Sequence, residues 1–369
     1  MSTRLYDVIV VGAGPAGATA AARLAATGVD VALIERRTLP RDKPCGGGLS
    51  PKAYRLLEVD LDGLVLARPR VVRLFAPRTG AATLQSQGHS IWMVQRAQFD
   101  QRLAENAVER GARLIDDAIV YGVDLSEASH VATVDTNRGQ LRARAVVGAD
   151  GADSVVARSV GLRADREQGY VLALEVEGPR PEGSSCDVAI VDFGIPNGYA
   201  WFFPKGDLAN VGVGTSDRQQ FRELRRHLSE FLDRHRLSFR EPIRVVGHKI
   251  PIWRGVEPLD RANVILAGDA AGVADPFFGE GIAYAIQTGR FASDAVARFL
   301  SRDWPSLSGY STAVQSVLGR DLRFWSILGK IVYRAPSLAV LLLSRNQLFQ
   351  RLADQAISGE KSFSKSWKT

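Results

Sequence analysis

A glycine-rich turn near the amino terminus has the spacing of a phosphate-binding site. Gly12-Ala-Gly14-Pro-Ala16-Gly17 follows a predicted strand at 7–11 and precedes an alanine-rich segment, predicted as a helix. Gly12 permits a tight turn, Gly14 allows a pyrophosphate to approach the backbone, and Gly17 lets the helix pack closely on the strand. The helix amino terminus, which includes Ala16, presents unpaired N–H groups to the phosphates. The turn therefore predicts a nucleotide cofactor.

An acidic residue follows at the place where such a cofactor would need one. Glu35 stands at the end of a second predicted strand, 29–34, and 23 residues beyond Gly12. Its carboxylate can accept hydrogen bonds from a ribose diol, and Arg36 beside it is included in the predicted site. This strand–helix–strand unit alone does not distinguish NAD from FAD.

Two later stretches also have the pattern of strand, turn and helix, with an aspartate at the turn. The first lies at 145–158 and the second at 263–282. A carboxylate at such a turn can accept hydrogen bonds from ribityl or ribose hydroxyls, and glycines let the backbone lie against a flat ring. The cofactor-site residues predicted here are Asp150, Gly151, Gly268, Asp269, Gly279, Gly281 and Ile282.

With these motifs the chain resembles FAD-dependent oxidoreductases of the glutathione-reductase fold that share the layout of the aromatic hydroxylases. The first stretch is similar to the DGxxSxxR motif of that family at Asp150, Gly151, Ser154 and Arg158. Arg96, at the start of a predicted helix, is similar to the arginine of the family near the FAD phosphates and adenine. The resemblance implies that FAD is the cofactor and that it stays bound on purification.

Two further motifs resemble those of the geranylgeranyl reductase family. The run 44–47 reads PCGG, and 196–204 matches PxxYxWxFP. The aromatic hydroxylases usually carry histidine where this chain has Gly272. The resemblance implies that Cys45, Gly46 and Gly47 lie close to the flavin.

Three aromatic side chains are predicted to form a substrate wall. Tyr199, Trp201 and Phe203 alternate along a predicted strand and therefore share one face, which suits a polyprenyl chain without hydrogen-bonding groups. Ordinary core packing is the alternative interpretation. The resemblance implies reduction of isolated C=C bonds by hydride from reduced flavin N5. The proton donor stays open between Cys45, Tyr199 and an ordered water.

Other functions remain as alternatives. The first is a flavin-dependent monooxygenase or halogenase, and a second, from another class, is a non-catalytic prenyl-binding escort protein. A membrane-associated quinone reductase is a third. Because only one GxGxxG occurs, the electron donor is expected to be external: NAD(P)H, ferredoxin or another flavoprotein.

The predicted fold class is α/β. A Rossmann-like FAD-binding domain of the glutathione-reductase type is assigned to residues 1–60, 91–165 and 255–300. An antiparallel β-sheet substrate domain is interleaved with it at 61–90 and 166–254. A helical C-terminal region is expected from 301 to 369.

Composition and charge bound the remaining possibilities. Hydrophobic residues make up 46% and charged residues 24% of the 369, as in a soluble globular protein. Two cysteines cannot build a disulfide framework, and no secretion signal is recognised, so we expect a cytoplasmic protein. The five histidines lack metal-ligand spacing, so we expect no metal.

From 301 onward ten Lys or Arg stand against four Asp or Glu. Nucleic-acid binding usually comes with a recognisable module. Because none is recognised in this sequence, we expect no nucleic-acid partner for the basic tail. It either packs on the body or contacts the inner face of a membrane peripherally.

Overall fold

The computed structural model describes residues 4–85, 91–126, 131–162, 169–240, 244–255, 257–303 and 306–358. Two of the five histidines, His89 and His130, lie outside these ranges. So do the last eleven residues, 359–369, which carry three of the ten basic residues counted in the tail.

The first sheet carries the glycine-rich turn. Its parallel strands run in the order β17 (Val264–Leu266), β10 (Gly139–Gly148), β1 (Leu5–Val11), β2 (Val31–Ile34) and β7 (Arg113–Ile115). β16 (Asp260–Arg261) pairs antiparallel with β17, and the hairpin of β8 (Val120–Ser126) and β9 (Val131–Thr136) extends β10. From Val8 to Val11 the central strand is apolar and buried on both faces, as is typical of a parallel sheet that is covered on both sides.

Three helices pack together on this sheet. They are α1 (Pro15–Ala25), α3 (Arg96–Glu109) and α6 (Ile282–Leu300), with α1 against both of the others. A short helix, α4 (Val155–Ser159), follows β10. Small residues allow the close approach of α1 and α6, since a Cβ on Gly289 would lie 2.3 Å from the carbonyl oxygen of Ala16.

The second sheet forms the opposite side of the molecule. Its order is β15 (Val246–Pro251), β11 (Tyr170–Pro179), β14 (Leu208–Thr215), β13 (Gly198–Lys205), β12 (Val188–Asp192), β4 (Val71–Phe75) and β5 (Ala82–Gln85). All neighbours are antiparallel except β12 and β4. Helix α5 (Leu224–His235) packs Leu228 and Phe231 against Phe202 on one face. The other face of the sheet is thereby left to face the first sheet.

Short elements and three C-terminal helices complete the fold. They are β3 (Gly48–Leu49) paired with β6 (Trp92–Met93), α2 (Pro51–Arg55), α7 (Tyr310–Arg334), α8 (Pro336–Arg345) and α9 (Gln347–Ser358). Within the described ranges no single helix is long and apolar enough to cross a membrane. Helices α7 and α8 pass that test only as a pair, and the chain bends by 100° between them.

The predicted fold class is confirmed, with one element shorter than expected. The sequence predicts a parallel strand over 112–120, whereas β7 ends at Ile115. Asp117 adopts a φ of 49°, in the left-handed region, so the chain turns there instead of continuing as a strand.

Candidate active site

A cavity of about 1130 Å³ lies between the two sheets. It reaches from the glycine-rich turn, past the loop 44–47 and the open face of the second sheet, to the helices α7, α8 and α9. Pockets for one small ligand usually measure ~300–1,000 Å³. The volume therefore suits a cofactor together with a second, elongated ligand.

The turn at Gly12 closes tightly while Gly14 stays open to the cavity. Gly12 has a φ of 103°, and a Cβ there would lie 2.3 Å from the carbonyl oxygen of Ala149. A Cβ on Gly17 would lie 1.8 Å from the oxygen of Gly12, so Gly17 serves packing and does not line the cavity. At Gly14 the nearest atom to a Cβ is the Arg41 guanidinium at 4.0 Å. Helix α1 begins here without a side-chain cap, which leaves its first N–H groups available to an anion.

An ion-pair chain forms the wall next to this turn. Oε2 of Glu35 accepts hydrogen bonds from Ala13 N–H and from Arg41, each at 3.1 Å. Arg41 continues to Asp100 at 2.9 Å, and Asp100 receives two hydrogen bonds of 2.8 Å from Arg96. Burial works against the charge of Arg96, but Asp100 and Cys45 beside it raise the pKa of its guanidinium above the ordinary value. Sequence reasoning missed Arg41 and Asp100, although the spacing of Arg96 and Asp100 on a predicted helix was a usable signal.

Two further features suit a nucleotide-like cofactor. Oδ2 of Asp150 caps α4 by accepting from Val155 N–H at 2.6 Å and Val156 N–H at 3.1 Å. Its Oδ1 is buried with no hydrogen-bond partner in the described part of the chain, and burial raises the pKa of this carboxyl. Helix α6 begins at Ile282 without a side-chain cap on the same cavity wall. Two uncapped helix ends and an unpaired buried oxygen therefore face one space, as a phosphate- and hydroxyl-bearing group requires.

Glycines are required where the loop 44–47 passes between the sheets. A Cβ on Gly46 would lie 2.8 Å from the ring of Phe203. At Gly47, with a φ of 72°, a Cβ would lie 2.2 Å from the carbonyl oxygen of Val94. The N–H of Cys45 donates to Glu175 at 2.6 Å. The loop is thus held directly against the second sheet.

The cavity face of the second sheet has a polar half and an apolar half. Strand pairing sets three rows across it: His248, Ala173, Gly214 and Tyr199; Val246, Glu175, Gly212 and Trp201; and Glu177, Asn210 and Phe203. The three predicted aromatic residues do share one face, with Trp201 and Phe203 stacked. The glycines in the middle make room for them, since a Cβ on Gly212 would lie 2.2 Å from the Trp201 ring.

The titratable groups of this face are strongly perturbed. Burial raises the pKa of Glu175 to about 7, and it lowers that of His248 to about 4. Burial also raises the pKa of Tyr199, whose hydroxyl donates to the carbonyl of Phe278. Perturbed pKa values in a cavity are a mark of functional sites. Sequence reasoning missed Glu175, Asn210 and His248, because no motif includes them.

The structure brings nearly all predicted site residues to this one cavity. Besides Gly17, which lies behind its wall, every predicted residue lines it: Gly12, Gly14, Ala16, Glu35, Arg36, Cys45, Gly46, Gly47, Arg96, Asp150, Gly151, Tyr199, Trp201, Phe203, Gly268, Asp269, Gly279, Gly281 and Ile282.

Comparison with known proteins assigns this arrangement to a family. Residues 5–188 match the family model for an FAD binding domain, and 172–250 match that for a geranylgeranyl reductase catalytic domain. A menaquinone reductase of Mycobacterium tuberculosis is 34% identical over 90% of this chain and 88% of its own length. A geranylgeranyl diphosphate reductase of Rhodobacter capsulatus is 33% identical over 82% of this chain and 77% of its own length.

A solved structure agrees with these matches. The geranylgeranyl bacteriochlorophyll reductase-like protein of Thermoplasma acidophilum superimposes with a TM-score of 0.84 at 25% identity, covering 98% of this chain and 97% of that protein. The cofactor is FAD, in agreement with the helix ends and the unpaired Asp150 oxygen described above. The chain therefore belongs to the geranylgeranyl reductase family of FAD-dependent oxidoreductases.

Proposed function

We propose that this enzyme hydrogenates isolated C=C bonds of a geranylgeranyl-type polyprenyl group. The observation that carries the proposal is the apolar half of the cavity face of the second sheet, where Tyr199, Trp201 and Phe203 form a continuous wall. From this wall the cavity continues along apolar side chains of α7 and α8, among them Leu328 and Leu343. A ligand that follows this path meets few hydrogen-bonding groups, which suits a long hydrocarbon. The relative named a geranylgeranyl diphosphate reductase and the match to a geranylgeranyl reductase catalytic domain support this choice. The relative named a menaquinone reductase is the reason for testing menaquinone as a substrate as well.

We assign cofactor binding to the residues of the first sheet and its turns. The N–H groups at the start of α1 would face the pyrophosphate, and Oδ1 of Asp150 would accept a hydroxyl of the cofactor. The uncapped start of α6 would face the carbonyl edge of the flavin. When bound and reduced by an external donor, FAD supplies the hydride for the alkene.

The protein supplies orientation, a dry channel and a proton. Tyr199 is a poor acid here because its hydroxyl donates to the Phe278 carbonyl and its pKa is raised. Tyr199 therefore serves as wall. Cys45 lies where the polar and apolar halves meet, and we assign its thiol the delivery of the proton to the alkene carbon that receives no hydride.

Anaerobic reoxidation tests the reaction. The protein is reduced with dithionite and mixed with geranylgeranyl diphosphate; the flavin absorbance is expected to return and the product mass to rise by about 2 Da per bond reduced. The saturated phytanyl diphosphate serves as control and should leave the flavin reduced. Menaquinone and a digeranylgeranyl glycerophospholipid are tested in parallel to identify the carrier. Flavin that is reoxidised only by oxygen, with an oxygenated product, would favour the monooxygenase alternative instead.

We further propose that the C-terminal helices rest on an anionic membrane surface. At 3.6 residues per turn, Phe324, Ile327 and Ile331 lie on one side of α7, together with the exposed Arg320 and Arg334. Ile327 is 60% exposed and Ile331 61% exposed. Apolar side chains flanked by arginines suit insertion between anionic headgroups.

The cavity reaches the same surface. Several side chains are both exposed and part of the cavity lining: Phe324, Ile331, Leu338, Leu342, Phe349 and Leu352. A lipid-borne prenyl chain could therefore enter from the membrane without crossing water.

Vesicle binding tests this surface. The double variant Ile327→Glu with Ile331→Glu is expected to bind phosphatidylglycerol vesicles at least about tenfold more weakly, because two apolar side chains no longer insert. Val108→Glu is the matched control, since Val108 is 45% exposed on α3, away from the cavity. Flotation measures binding, and bound FAD confirms folding. Equal binding by the double variant and the control, or no binding by the parent protein, would contradict the membrane contact.

A further inference from the structure

The buried side-chain amide of Asn210 connects the polar half and the apolar half of the cavity face of the second sheet. Oδ1 of Asn210 accepts the indole N–H of Trp201 at 2.7 Å. Its Nδ2 lies 3.3 Å from Oε1 of Glu175 and 3.5 Å from the carbonyl oxygen of Cys45. Glu175 also accepts the N–H of Cys45. Glu175 and Asn210 thus hold both backbone groups of Cys45 and the ring of Trp201.

The carboxyl of Glu175 is unusual within this network. It is 4% exposed, and its Oε2 is buried without a hydrogen-bond partner among the residues that the structure describes. An unpaired buried oxygen lowers stability. Core packing alone would be served better by an apolar residue, which points to a role of the carboxyl in the site.

The charges around Glu175 come from three elements besides its own. Lys205 of β13 lies nearby and is paired with Glu177 of β11. Lys205 lowers the pKa of Glu175, while Glu177 raises it. On β15 the neighbouring row carries His248, whose pKa of about 4 keeps it neutral near pH 7. From the loop, the Cys45 N–H favours the ionised carboxyl.

We propose that Glu175 is a positioning residue for alkene reduction. Through the Cys45 amide and Asn210, Glu175 fixes the position of the Cys45 thiol relative to the ring of Trp201. This inference rests on the proposed prenyl reduction and deepens it. Glu175 acts through Cys45, because its Oε1 accepts the Cys45 N–H and lies within hydrogen-bond distance of the Asn210 amide.

The hold of Glu175 on Cys45 should depend on pH. With a pKa of about 7, the carboxyl is ionised above that pH and neutral below it. A charge-assisted hydrogen bond is roughly twice as strong as a neutral one. The loop is therefore held more firmly above pH 7, and the rate of substrate-driven flavin reoxidation should fall by about three- to tenfold as the pH drops through 7.

The first test measures the rate at which geranylgeranyl diphosphate reoxidises the reduced flavin in a single turnover. The rate is followed over about 1.5 pH units on either side of 7. Glu175→Gln keeps an acceptor for the Cys45 N–H but cannot ionise, so its profile should lack the step near pH 7. Glu230→Gln, an exposed change on α5, should keep the step. A step that persists in Glu175→Gln would overturn the proposal.

Thiol alkylation provides a second test that needs no prenyl reduction. In a Cys186→Ser background, iodoacetamide reports on Cys45 alone. Glu175→Ala should speed alkylation of Cys45 at least about threefold, because the loop opens more often once its anchor is removed. An unchanged alkylation rate refutes the positioning role. If alkylation accelerates but the parent protein reduces no prenyl substrate, the proposed function fails while the anchoring of Cys45 stands.

Discussion

The variant Gly14→Ala is expected to fold normally but to bind FAD about 10- to 100-fold more weakly, a change equivalent to ~1.4–2.8 kcal/mol. Gly14 has an ordinary φ of −79°, and no atom lies closer than 4.0 Å to the position of an added Cβ. The methyl group therefore fits the folded chain. It occupies the space through which a pyrophosphate would approach the N–H groups of α1, and charge-assisted hydrogen bonds to that group would lengthen or be lost.

Flavin fluorescence during titration of the apoprotein with FAD measures the affinity, and thermal unfolding of the apoprotein measures the folding effect. Gly80→Ala is the matched control, because a Cβ at Gly80 also meets nothing within 4 Å and Gly80 lies away from the cavity. Equal FAD affinity in the two variants would contradict the assignment of the FAD phosphates to the turn at Gly14. A large loss of unfolding free energy in Gly14→Ala alone would mean that the turn is not open.

The variant Trp201→Ala is expected to retain FAD while its KM for a geranylgeranyl substrate rises about 10- to 100-fold. A tryptophan side chain buries about 150–250 Å², and much of the prenyl contact with the apolar wall would be lost. FAD should stay bound because we assign the cofactor site to the first sheet and its turns. Loss of flavin from Trp201→Ala would contradict the assignment of this residue to the substrate.

A neighbouring residue separates substrate binding from general destabilisation. Phe202 lies on the opposite face of β13, 1% exposed and packed under α5. Truncating either aromatic residue removes a comparable volume, at a cost of about 3–5 kcal/mol in unfolding free energy. Phe202→Ala should therefore lower the thermal midpoint without raising KM. A third variant, Trp201→Phe, keeps most of the wall and removes the hydrogen bond to Asn210.

Local sequence predicted the elements to which we assign the cofactor. The turn at Gly12, the acid at Glu35 and the turn before α4 depend on residues that are close together in the chain. Their spacing follows from the geometry of one strand, one turn and one helix, so it can be recognised without knowledge of the rest of the fold. The alternation of Tyr199, Trp201 and Phe203 was readable for the same reason.

The contacts across the cavity could not be predicted in this way. Glu175 follows Cys45 by 130 residues, and their hydrogen bond exists only because the second sheet stands over the loop. Asn210 meets Trp201 because the register of β13 and β14 places Trp201 opposite Gly212, one row from Asn210. Register is a property of paired strands, and no single strand contains it.

The sequence by itself therefore predicted the turns that we assign to FAD and an aromatic strand, because each is set by neighbours within one element or one turn. The resemblance of these motifs to a known family predicted the fold class and FAD as the cofactor. Tertiary structure decided that this strand lines the cavity, that Glu175 accepts the N–H of Cys45, and that α7 to α9 extend the cavity to an apolar surface. The physical reason is that these contacts depend on how separate elements pack against each other. That packing is set by the buried surfaces of all the elements at once and not by the sequence of any one element.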